Sequence, residues 1–269
     1  MVRVAVNGAL GRMGSRILNL AYAAGDFKIA AAFERRSSGL LGKKLGTLPG
    51  FPAPLKVRLS ALSPARLAAC DVLIDFSSPE GTRRCLAAAL KFKTAVVIGT
   101  TGIEAAGEEA IRETSKKTAV LFSPNMSLGA NFLFELSRLA AARLKSGYDA
   151  EVIEKHHRLK KDAPSGTAKK IAGIIAGERG WALEKAARYG RQGLAGERTG
   201  EEIGIHAVRA GDIVGEHTVI FGGPGETLEL THRAQSRDAF ARGALAAALF
   251  LSKKKKGLYS MSDVLTGKA

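Results

Sequence analysis

Near its N-terminus the chain has the sequence Val4-Ala5-Val6-Asn7-Gly8-Ala9-Leu10-Gly11-Arg12-Met13-Gly14, in which an apolar run, a glycine-rich turn and a helical run follow one another directly. This order predicts a strand, a turn and a helix, with Gly8 at the sharp bend and Gly14 where the helix packs closely on the strand. Gly11 would let phosphates approach the backbone, and the amides at the helix start would bind them. The spacing is GxxGxxG rather than the commoner GxGxxG, so the motif alone is also compatible with a structural turn that binds no ligand.

The rest of the N-terminal half alternates short apolar runs with stretches of helical periodicity, as a parallel sheet with crossover helices does. The runs are almost continuously apolar, which is typical of parallel strands covered on both faces. The predicted strands are residues 3–7, 28–34, 72–76, 94–99 and 118–123, and the predicted helices are residues 13–24, 79–91 and 103–117. This half is therefore predicted to form a Rossmann-like dinucleotide-binding domain.

The second predicted strand ends at Glu34, where a carboxylate can accept hydrogen bonds from the ribose hydroxyls of a dinucleotide, a feature that favours NADH. Arg35 and Arg36 follow directly. A guanidinium binds phosphate through two hydrogen bonds, so either arginine could instead pair with the extra phosphate of NADPH, and an ordinary solvated loop is the alternative for both. The sequence predicts NADH or NADPH as the cofactor and does not choose between them.

The pattern changes after about Asn125. A helix is predicted over residues 130–144, followed by strands over residues 150–156, 202–209, 216–221 and 227–233. Glycine-rich segments at residues 211–215 and 222–225 have the composition of turns between the last three strands. Residues 190–201, rich in Gly, Arg and Glu, are expected to form a long exposed loop. We predict a second, α+β domain with an open mixed sheet.

The stretch from Glu154 to Ala168 reads Glu-Lys-His-His-Arg-Leu-Lys-Lys-Asp-Ala-Pro-Ser-Gly-Thr-Ala and combines groups that handle anions and protons. Ser165 precedes a helical run, so the amides of Gly166 and Thr167 are expected at a helix N-terminus. A carboxylate binds well at such a position, because the helix dipole and the amides both favour negative charge.

The same stretch holds a lysine and two histidines. Lys160 can supply a positive charge or a proton, and His156 and His157 titrate near neutral pH. Neighbouring residues on a strand point to opposite faces, so only one of the two histidines would face such a site directly. The alternative interpretation is a surface strand end with two exposed histidines, next to a helix that is merely capped by Ser165.

The chain is strongly basic, with 41 Lys and Arg against 25 Asp and Glu and a net charge of +16. Such an excess favours polyanions, but the basic residues are scattered and are not interleaved with aromatic side chains as in single-strand-binding proteins. The one dense run, residues 253–256, follows an apolar helical stretch and is predicted to form a solvated helix end. We therefore expect no nucleic-acid partner.

Membrane, export and metal signals are not visible in the sequence. The apolar runs are shorter than the roughly 20 residues that cross a bilayer, and the N-terminus alternates like a strand rather than like a signal peptide. Cys70 and Cys85 form no CxxC pair and lie near no histidine cluster, which argues against a metal site. We expect a cytoplasmic protein with no membrane partner, no metal and reduced cysteines.

Six blocks of sequence occur in order along the chain, at residues 6–14, 75–81, 97–102, 123–127, 156–168 and 209–217. Together they resemble the dihydrodipicolinate reductase family of bacterial lysine and diaminopimelate biosynthesis, over essentially the whole chain. The His-His block and the Arg-Ala-Gly-Asp block that begins at Arg209 are the most specific, whereas many dehydrogenases share the glycine turn.

The resemblance implies a reductase that uses NADH or NADPH to convert a cyclic dicarboxylate imine derived from 4-hydroxy-tetrahydrodipicolinate into tetrahydrodipicolinate. It implies that His156 is a proton donor or acceptor and that Lys160 is a second proton donor. The implied substrate contacts are His157, Ser165, Gly166 and Thr167. The implied cofactor contacts are Gly8, Ala9, Leu10, Gly11, Arg12, Met13, Glu34, Arg35, Gly99, Thr100, Thr101, Ser123, Pro124, Asn125 and Met126.

The resemblance also implies a homotetramer and a discontinuous dinucleotide-binding domain of residues 1–127 and 237–269, to which a C-terminal helix of about residues 236–265 returns. Residues 128–236 would then form the substrate-binding and oligomerisation domain. Two alternatives are another two-domain Rossmann oxidoreductase, such as an aspartate dehydrogenase, and a noncatalytic dinucleotide-binding protein. The presence of both His156 and Lys160 argues against lost catalysis.

Overall fold

The structure is a computed structural model that describes residues 1–267. The chain divides into two compact units, the first made of Met1–Leu128 together with the chain from Arg237 onwards, and the second made of Gly129–Ser236. Among the described residues, no helix is both long enough and apolar enough to span a membrane.

The elements alternate between strands and helices in the first half of the chain. In chain order they are β1 (Val2–Asn7), α1 (Arg12–Ala24), β2 (Phe27–Phe33), β3 (Leu59–Ser60), α2 (Pro64–Leu67), β4 (Val72–Asp75), α3 (Pro79–Phe92), β5 (Ala95–Ile98), α4 (Ala105–Ser115), β6 (Ala119–Phe122), α5 (Leu128–Arg143), β7 (Asp149–His156), α6 (Gly166–Arg179), α7 (Leu183–Ala186), β8 (Ala187–Tyr189), β9 (Ile203–Arg209), β10 (Gly215–Gly223), β11 (Glu226–Ala234), α8 (Asp238–Leu251), β12 (Gly257–Tyr259) and α9 (Met261–Thr266). A short 3₁₀ turn covers Leu45–Thr47.

The first unit is built on a seven-stranded sheet in the order β12-β6-β5-β4-β1-β2-β3, and every neighbouring pair is parallel. Alternate residues of β1 enter different hydrophobic clusters, with Val4 and Val6 in one and Ala5 in the other. Helices thus cover both faces of the sheet, which explains why its strands are almost continuously apolar. The predicted α/β, Rossmann-like fold of this half is confirmed.

The predicted C-terminal helix of residues 236–265 is wrong. Helix α8 ends at Leu251, and the chain continues as a turn, then as β12, which pairs in parallel with β6, and then as α9. A single helix cannot run through this segment, because Gly257 has a φ of +130°, a backbone conformation outside the helical region. The lysines lie in the turn beyond the helix, rather than in a last helical turn.

The second unit holds a five-stranded mixed sheet in the order β11-β10-β7-β9-β8. Strand β10 is antiparallel to β7 and β11, whereas β9 is parallel to β7 and β8. Helices α5 and α6 cover one face, where residues of both helices share a hydrophobic cluster with Val152, Ile205 and Phe221. The open, mixed α+β sheet predicted for this half is confirmed. Strand β8 and helix α7 are too short for a sequence pattern to reveal.

The opposite face of the second sheet has no helix over it among the described residues. Glu151, Ile153, His206 and Ile220 are half-buried there, and Val208 is exposed. The predicted loop of residues 190–201 has no regular secondary structure and is mostly exposed. Its Arg198 nevertheless lies against this face, where it contacts Glu151 at 3.2 Å.

Candidate cofactor and substrate sites

The glycine turn between β1 and α1 is tight at two of its three glycines. Gly8 has a φ of +78°, and a Cβ there would lie 2.3 Å from the carbonyl oxygen of Phe76. A Cβ on Gly14 would lie 2.0 Å from the carbonyl oxygen of Gly8, so only glycine lets α1 start this close to the turn. Helix α1 begins after Gly11 with no side-chain cap and no acidic residue in its first turn. This helix N-terminus is suited to an anion.

Glu34 lies directly against the glycine turn. Its Oε2 accepts a hydrogen bond from the backbone N–H of Leu10 at 3.0 Å, and its Oε1 accepts one from the N–H of Arg35 at 3.1 Å. The N–H groups of Gly8 and Ala9 both donate to the carbonyl oxygen of Phe33 at 3.0 Å. The end of β2 therefore holds the turn in place and brings an acidic side chain beside it.

A cleft of about 1070 Å³ opens beside this turn within the first unit. Its walls include Gly8, Gly11 and Glu34, and four cationic side chains, those of Arg35, Arg36, Arg84 and Lys91, also line it. A glycine-walled cleft with two carboxylates, those of Glu34 and Glu80, and several cations offers partners for the hydroxyls and for the phosphates of a dinucleotide. The residues present thus fit the predicted cofactor.

The predicted cofactor residues beyond the turn and β2 follow β5 and β6. They lie at the carboxyl-terminal ends of the parallel strands, as the glycine turn does, but outside the lining of this cleft. They are Gly99, Thr100 and Thr101 after β5, and Ser123, Pro124, Asn125 and Met126 after β6. Thr100 and Ser123 are buried and hydrogen-bonded inside the protein, and the side chain of Met126 is part of the core. A contact from Met126 to a ligand would have to come from its backbone.

A buried carboxylate that the sequence did not reveal as a candidate links the segments at the carboxyl-terminal ends of these strands. Asp75 accepts hydrogen bonds from Asn7 Nδ2 at 2.8 Å, Ser77 Oγ at 2.6 Å, Thr82 Oγ1 at 2.5 Å and Thr100 Oγ1 at 3.0 Å. These donors come from the ends of β1 and β4, from α3 and from the loop after β5. The only sequence signal was the block at residues 75–81, one of the six that resemble the family, and it gives no sign of these four partners.

The second unit places His156 at the end of β7, two residues after Glu154, so both side chains lie on the face that α6 covers. The side chain of Glu154 is fully buried and that of His156 is 11% exposed. Nδ1 of His156 lies 2.5 Å from Oε2 of Glu154. The ring of His156 also makes an edge-on contact with His217, with 5.2 Å between the ring centroids.

Glu154 has two further partners besides His156. Arg209, at the end of β9, donates to both of its oxygens from Nη1 and Nη2, each at 2.8 Å. The backbone N–H of Ser165 donates to its Oε1 at 3.0 Å. One buried carboxylate therefore joins the ends of β7 and β9 to the start of α6.

Helix α6 begins where the sequence predicts. Ser165 is its N-cap, and its Oγ accepts a hydrogen bond from the N–H of Ala168 and lies 3.0 Å from Nε2 of His217. Gly166 is exposed, and a Cβ there would meet no atom within 4 Å, so there is open space before the first turn. Thr167 follows in the same turn, half-buried.

Lys160 and His157 lie in the connection between β7 and α6. The Nζ of Lys160 lies 2.9 Å from Oδ1 of Asp162, and its side chain is 21% exposed. Strand β7 ends at His156, so His157 belongs to the turn, where its carbonyl oxygen accepts a hydrogen bond from the N–H of Lys160. Only His156 of the two histidines contacts Glu154 in the described structure.

The electrostatics distinguish the two buried histidines. Burial lowers the pKa of His156, while the hydrogen bond and charge of Glu154 oppose this shift and the charges of Lys160 and Arg209 add to it. Burial lowers the pKa of His217 further, to about 3. His217 is therefore neutral at physiological pH, whereas the carboxylate of Glu154, in contact with Nδ1, favours the protonated form of His156. Among the described residues no cluster suited to a metal ion is found.

Two family models match the chain and between them span almost all of it. Residues 2–126 match the model described as dihydrodipicolinate reductase, N-terminus, and residues 129–265 match the model described as dihydrodipicolinate reductase, C-terminus. The border between the two matches falls close to the first border between the structural units, at residues 128 and 129.

Full-length relatives support the same family. The 4-hydroxy-tetrahydrodipicolinate reductase of Nitrosomonas eutropha is 47% identical over 265 residues, which cover 98% of each chain. That of Syntrophotalea carbinolica is 46% identical over 265 residues, or 98% of this chain and 99% of the relative.

Solved structures agree. A dipicolinate-bound dihydrodipicolinate reductase from a Paenisporosarcina species has a TM-score of 0.74 at 28% identity, over 97% of both chains. An amine dehydrogenase from Mycobacterium smegmatis has a TM-score of 0.59 at 12% identity over 97% of this chain and 95% of its own, a likeness of fold alone. The glycine turn, the Glu154 cluster and these matches lead to one conclusion: the chain belongs to the dihydrodipicolinate reductase family of oxidoreductases.

Proposed function

We propose that this chain reduces a cyclic, unsaturated imine dicarboxylate derived from 4-hydroxy-tetrahydrodipicolinate to tetrahydrodipicolinate, with NADH or NADPH as the reductant. The names of its relatives support this reaction. The observation that carries it is the position of His156, a titratable imidazole that the buried Glu154 holds in the same cluster as the start of α6. A proton donor and a carboxylate-binding helix start are two groups that the reduction of an anionic C=C–C=N system requires.

The cofactor is assigned to the first unit. The amides at the start of α1 would bind the pyrophosphate, Glu34 the ribose hydroxyls and Arg35 a phosphate. The backbone segments of residues 99–101 and 123–126, at the carboxyl-terminal ends of β5 and β6, would supply the remaining contacts with the cofactor. When bound, the reduced nicotinamide supplies a hydride. Glu34 favours NADH and the cations of the cleft favour NADPH, so the proposal includes both.

The substrate is assigned to the second unit. Its carboxylates would bind at the start of α6, near Ser165, Gly166 and Thr167, and next to the ammonium group of Lys160. His157 would add a further contact from the turn. The dipicolinate bound to the Paenisporosarcina enzyme is a planar cyclic dicarboxylate. The same compound is therefore a suitable binding probe for this chain.

The proton is assigned to His156. Addition of a hydride to a conjugated C=C–C=N system leaves an electron pair on the substrate, which must take up a proton. The imidazolium of His156 can give this proton from Nε2 while its Nδ1–H remains bonded to Glu154. Lys160 is the second group in the segment that can supply a proton or hold the negative charge in place.

The proposal is tested by following nicotinamide absorbance while the substrate is generated in situ. The enzyme that catalyses the preceding step forms it from pyruvate and aspartate semialdehyde. We expect both NADH and NADPH to be oxidised, and only when all components of the mixture are present. Absence of oxidation with either cofactor would refute the proposed reaction.

Substitution of Lys160 provides a matched pair of variants. We expect Lys160→Ala to lower kcat/KM by roughly 10²-fold, because it removes a cation and a proton source from the reacting segment. The neighbouring Lys161→Ala removes an exposed cation of the same kind and is expected to change kcat/KM less than twofold. The kcat/KM values of the two variants are compared by steady-state kinetics at fixed ionic strength. Equal losses would contradict the assignment of Lys160 to the substrate site.

The assembly is also part of the proposal. The face of the second sheet that no described helix covers, with Val208 exposed and Ile153 and Ile220 half-buried, is a surface through which copies of the chain could form a homotetramer. Light scattering of the purified protein tests this state. A cytoplasmic location, where reduced nicotinamide cofactors and reduced cysteines occur together, completes the proposed setting.

A further inference from the structure

The carboxylate of Glu154 is the most enclosed charged group of the second unit's candidate site. Its side chain has no exposed surface, and its two oxygens receive four contacts, two from Arg209, one from the backbone of Ser165 and one from His156. A carboxylate buried without partners would be strongly destabilising, so these contacts determine whether it stays ionised. Burial by itself would raise the pKa of Glu154, but the hydrogen bonds from Arg209, His156 and Ser165 outweigh burial and lower it.

An ionised carboxylate only accepts hydrogen bonds. Nδ1 of His156, at 2.5 Å from Oε2, must therefore carry the hydrogen in this contact. In the neutral imidazole, the hydrogen on Nδ1 leaves Nε2 as the acceptor, and in the imidazolium Nε2 carries the proton that can be given away. Nε2 is directed towards Gly215 on β10, where a Cβ would lie only 3.1 Å from it. Glycine at this position leaves room beside the nitrogen.

We propose that Glu154, paired with Arg209, is the positioning residue of this enzyme: it fixes the tautomer of His156, stabilises its protonated form and ties it to the start of α6. This inference rests on the proposed function, in which His156 gives a proton to the reduced substrate. Glu154 itself touches neither the substrate nor the cofactor in this scheme and acts through His156 and Ser165.

The charges around His156 come from every strand that packs against it. Glu154 lies on its own strand β7, Arg209 on β9, His217 on β10 and Lys160 on the connection to α6. Glu154 is the only anion among these four, and Lys160 and Arg209 both disfavour the imidazolium. His217 adds no charge at neutral pH because its pKa is about 3. Loss of Glu154 thus removes the anion in direct contact with His156 and leaves the charges of Lys160 and Arg209, which oppose its protonation.

Arg209 has the opposite influence on His156 from that of Glu154. It holds the carboxylate in place through two hydrogen bonds, but its own charge opposes protonation of the imidazole. Removal of the Arg209 charge would leave Glu154 with His156 as its remaining side-chain partner among the described contacts. The two substitutions are therefore expected to move the titration of His156 in opposite directions, which a purely structural role would not do.

The test uses the full-length protein with Glu154→Gln and Arg209→Gln, and with Glu216→Gln as a matched control. Glu216 is a paired carboxylate on β10 that contacts Lys155 and Arg233 and lies outside this cluster. The titration of His156 is followed by NMR of its ring Cε1–H, assigned by loss of the signal in His156→Gln. We expect the midpoint to fall in Glu154→Gln, to rise in Arg209→Gln and to stay unchanged in Glu216→Gln.

Kinetics provide the second readout. The pH dependence of kcat/KM reports the free enzyme's acid, so we expect the alkaline limb of Glu154→Gln to move to lower pH and kcat near pH 7.5 to fall roughly tenfold or more. Glu154→Asp restores the charge with a shorter reach and is expected to recover part of the activity. A His156 midpoint that is the same in Glu154→Gln as in the native protein would overturn the inference.

The outcomes separate this inference from the proposed function. If the native enzyme oxidises no cofactor, the proposed reaction fails, and the NMR midpoints still test the link between Glu154 and His156. If Glu154→Gln does not fold, Arg209→Gln provides the decisive midpoint, since a fall or no change there contradicts the positioning role. If the midpoints move as expected and the pH limb does not, His156 is positioned by Glu154 but is not the acid, which overturns the role assigned here.

Discussion

Single residues in this protein have functions that depend on partners far away in the sequence. Glu34 illustrates this, because its carboxylate both lines the cleft proposed for the cofactor and accepts a hydrogen bond from the N–H of Leu10, 24 residues earlier. Its place after β2 could be predicted from the strand pattern. Its contact with the turn could not, because the pattern shows only that strand and turn are neighbours. The same is true of Glu154, whose partner Arg209 is 55 residues away.

Glu34 leads to a prediction about the choice of cofactor. We expect Glu34→Ala to weaken binding of both cofactors, because the turn loses its contact at Leu10, and to weaken NADH more than NADPH. NADPH keeps its phosphate contacts with the arginines of the cleft, whereas NADH loses its main polar partner. Fluorescence titration of each cofactor gives the two dissociation constants, and equal losses would show that Glu34 does not select between them.

At the level of elements, the parallel strands of the first unit could be predicted because both of their faces are buried. The C-terminal helix could not be predicted correctly, because the apolar periodicity of α8 gives no sign that Gly257–Tyr259 pairs with β6 at the edge of the sheet. The exposed loop of residues 190–201 was predicted from its composition. The attachment of this loop to the sheet could not be predicted from composition, because it depends on Glu151 on β7, which contacts Arg191 at 2.8 Å and Arg198 at 3.2 Å.

This attachment is expected to depend on pH. Burial by itself would raise the pKa of Glu151, but hydrogen bonds from Arg191, His206 and Arg198 lower it to about 2. Because the pKa in the folded protein is lowered, Glu151 stabilises the attached loop above the ordinary Glu pKa of 4.5, and this contribution is lost as the pH falls towards about 2. At neutral pH the ionised Glu151 should therefore keep the loop of residues 190–201 attached to β7.

Trypsin tests this attachment, since it cleaves after Arg191 and Arg198. We expect Glu151→Gln to be cut in the loop several times faster than the native protein at neutral pH, because each arginine loses one of its two carboxylate partners among the described residues: Arg191 keeps only Glu202 and Arg198 keeps only Asp149. Glu229→Gln, which changes an exposed carboxylate on β11, is the matched control and should be cut at the native rate. Equal rates for all three proteins would contradict the role of Glu151.

For the whole molecule, the two units divide the proposed reaction between them. The residues proposed to bind the cofactor lie in the first unit, and those proposed to bind and protonate the substrate lie in the second. The net charge of +16 is consistent with a preference for anionic cofactors and substrates. A consequence of this division is that the proton donor can be removed without change to the residues that hold the cofactor.

The separation of proton transfer from cofactor binding is tested most directly by measuring kcat and the cofactor dissociation constants side by side for the native protein and His156→Gln. We expect kcat to fall by roughly 10²-fold or more, because the proton donor is lost. We expect the dissociation constants for NADH and NADPH, measured by fluorescence, to remain within twofold of the native values. Native kcat in His156→Gln, or loss of cofactor binding together with activity, would contradict the assignment of proton transfer to His156.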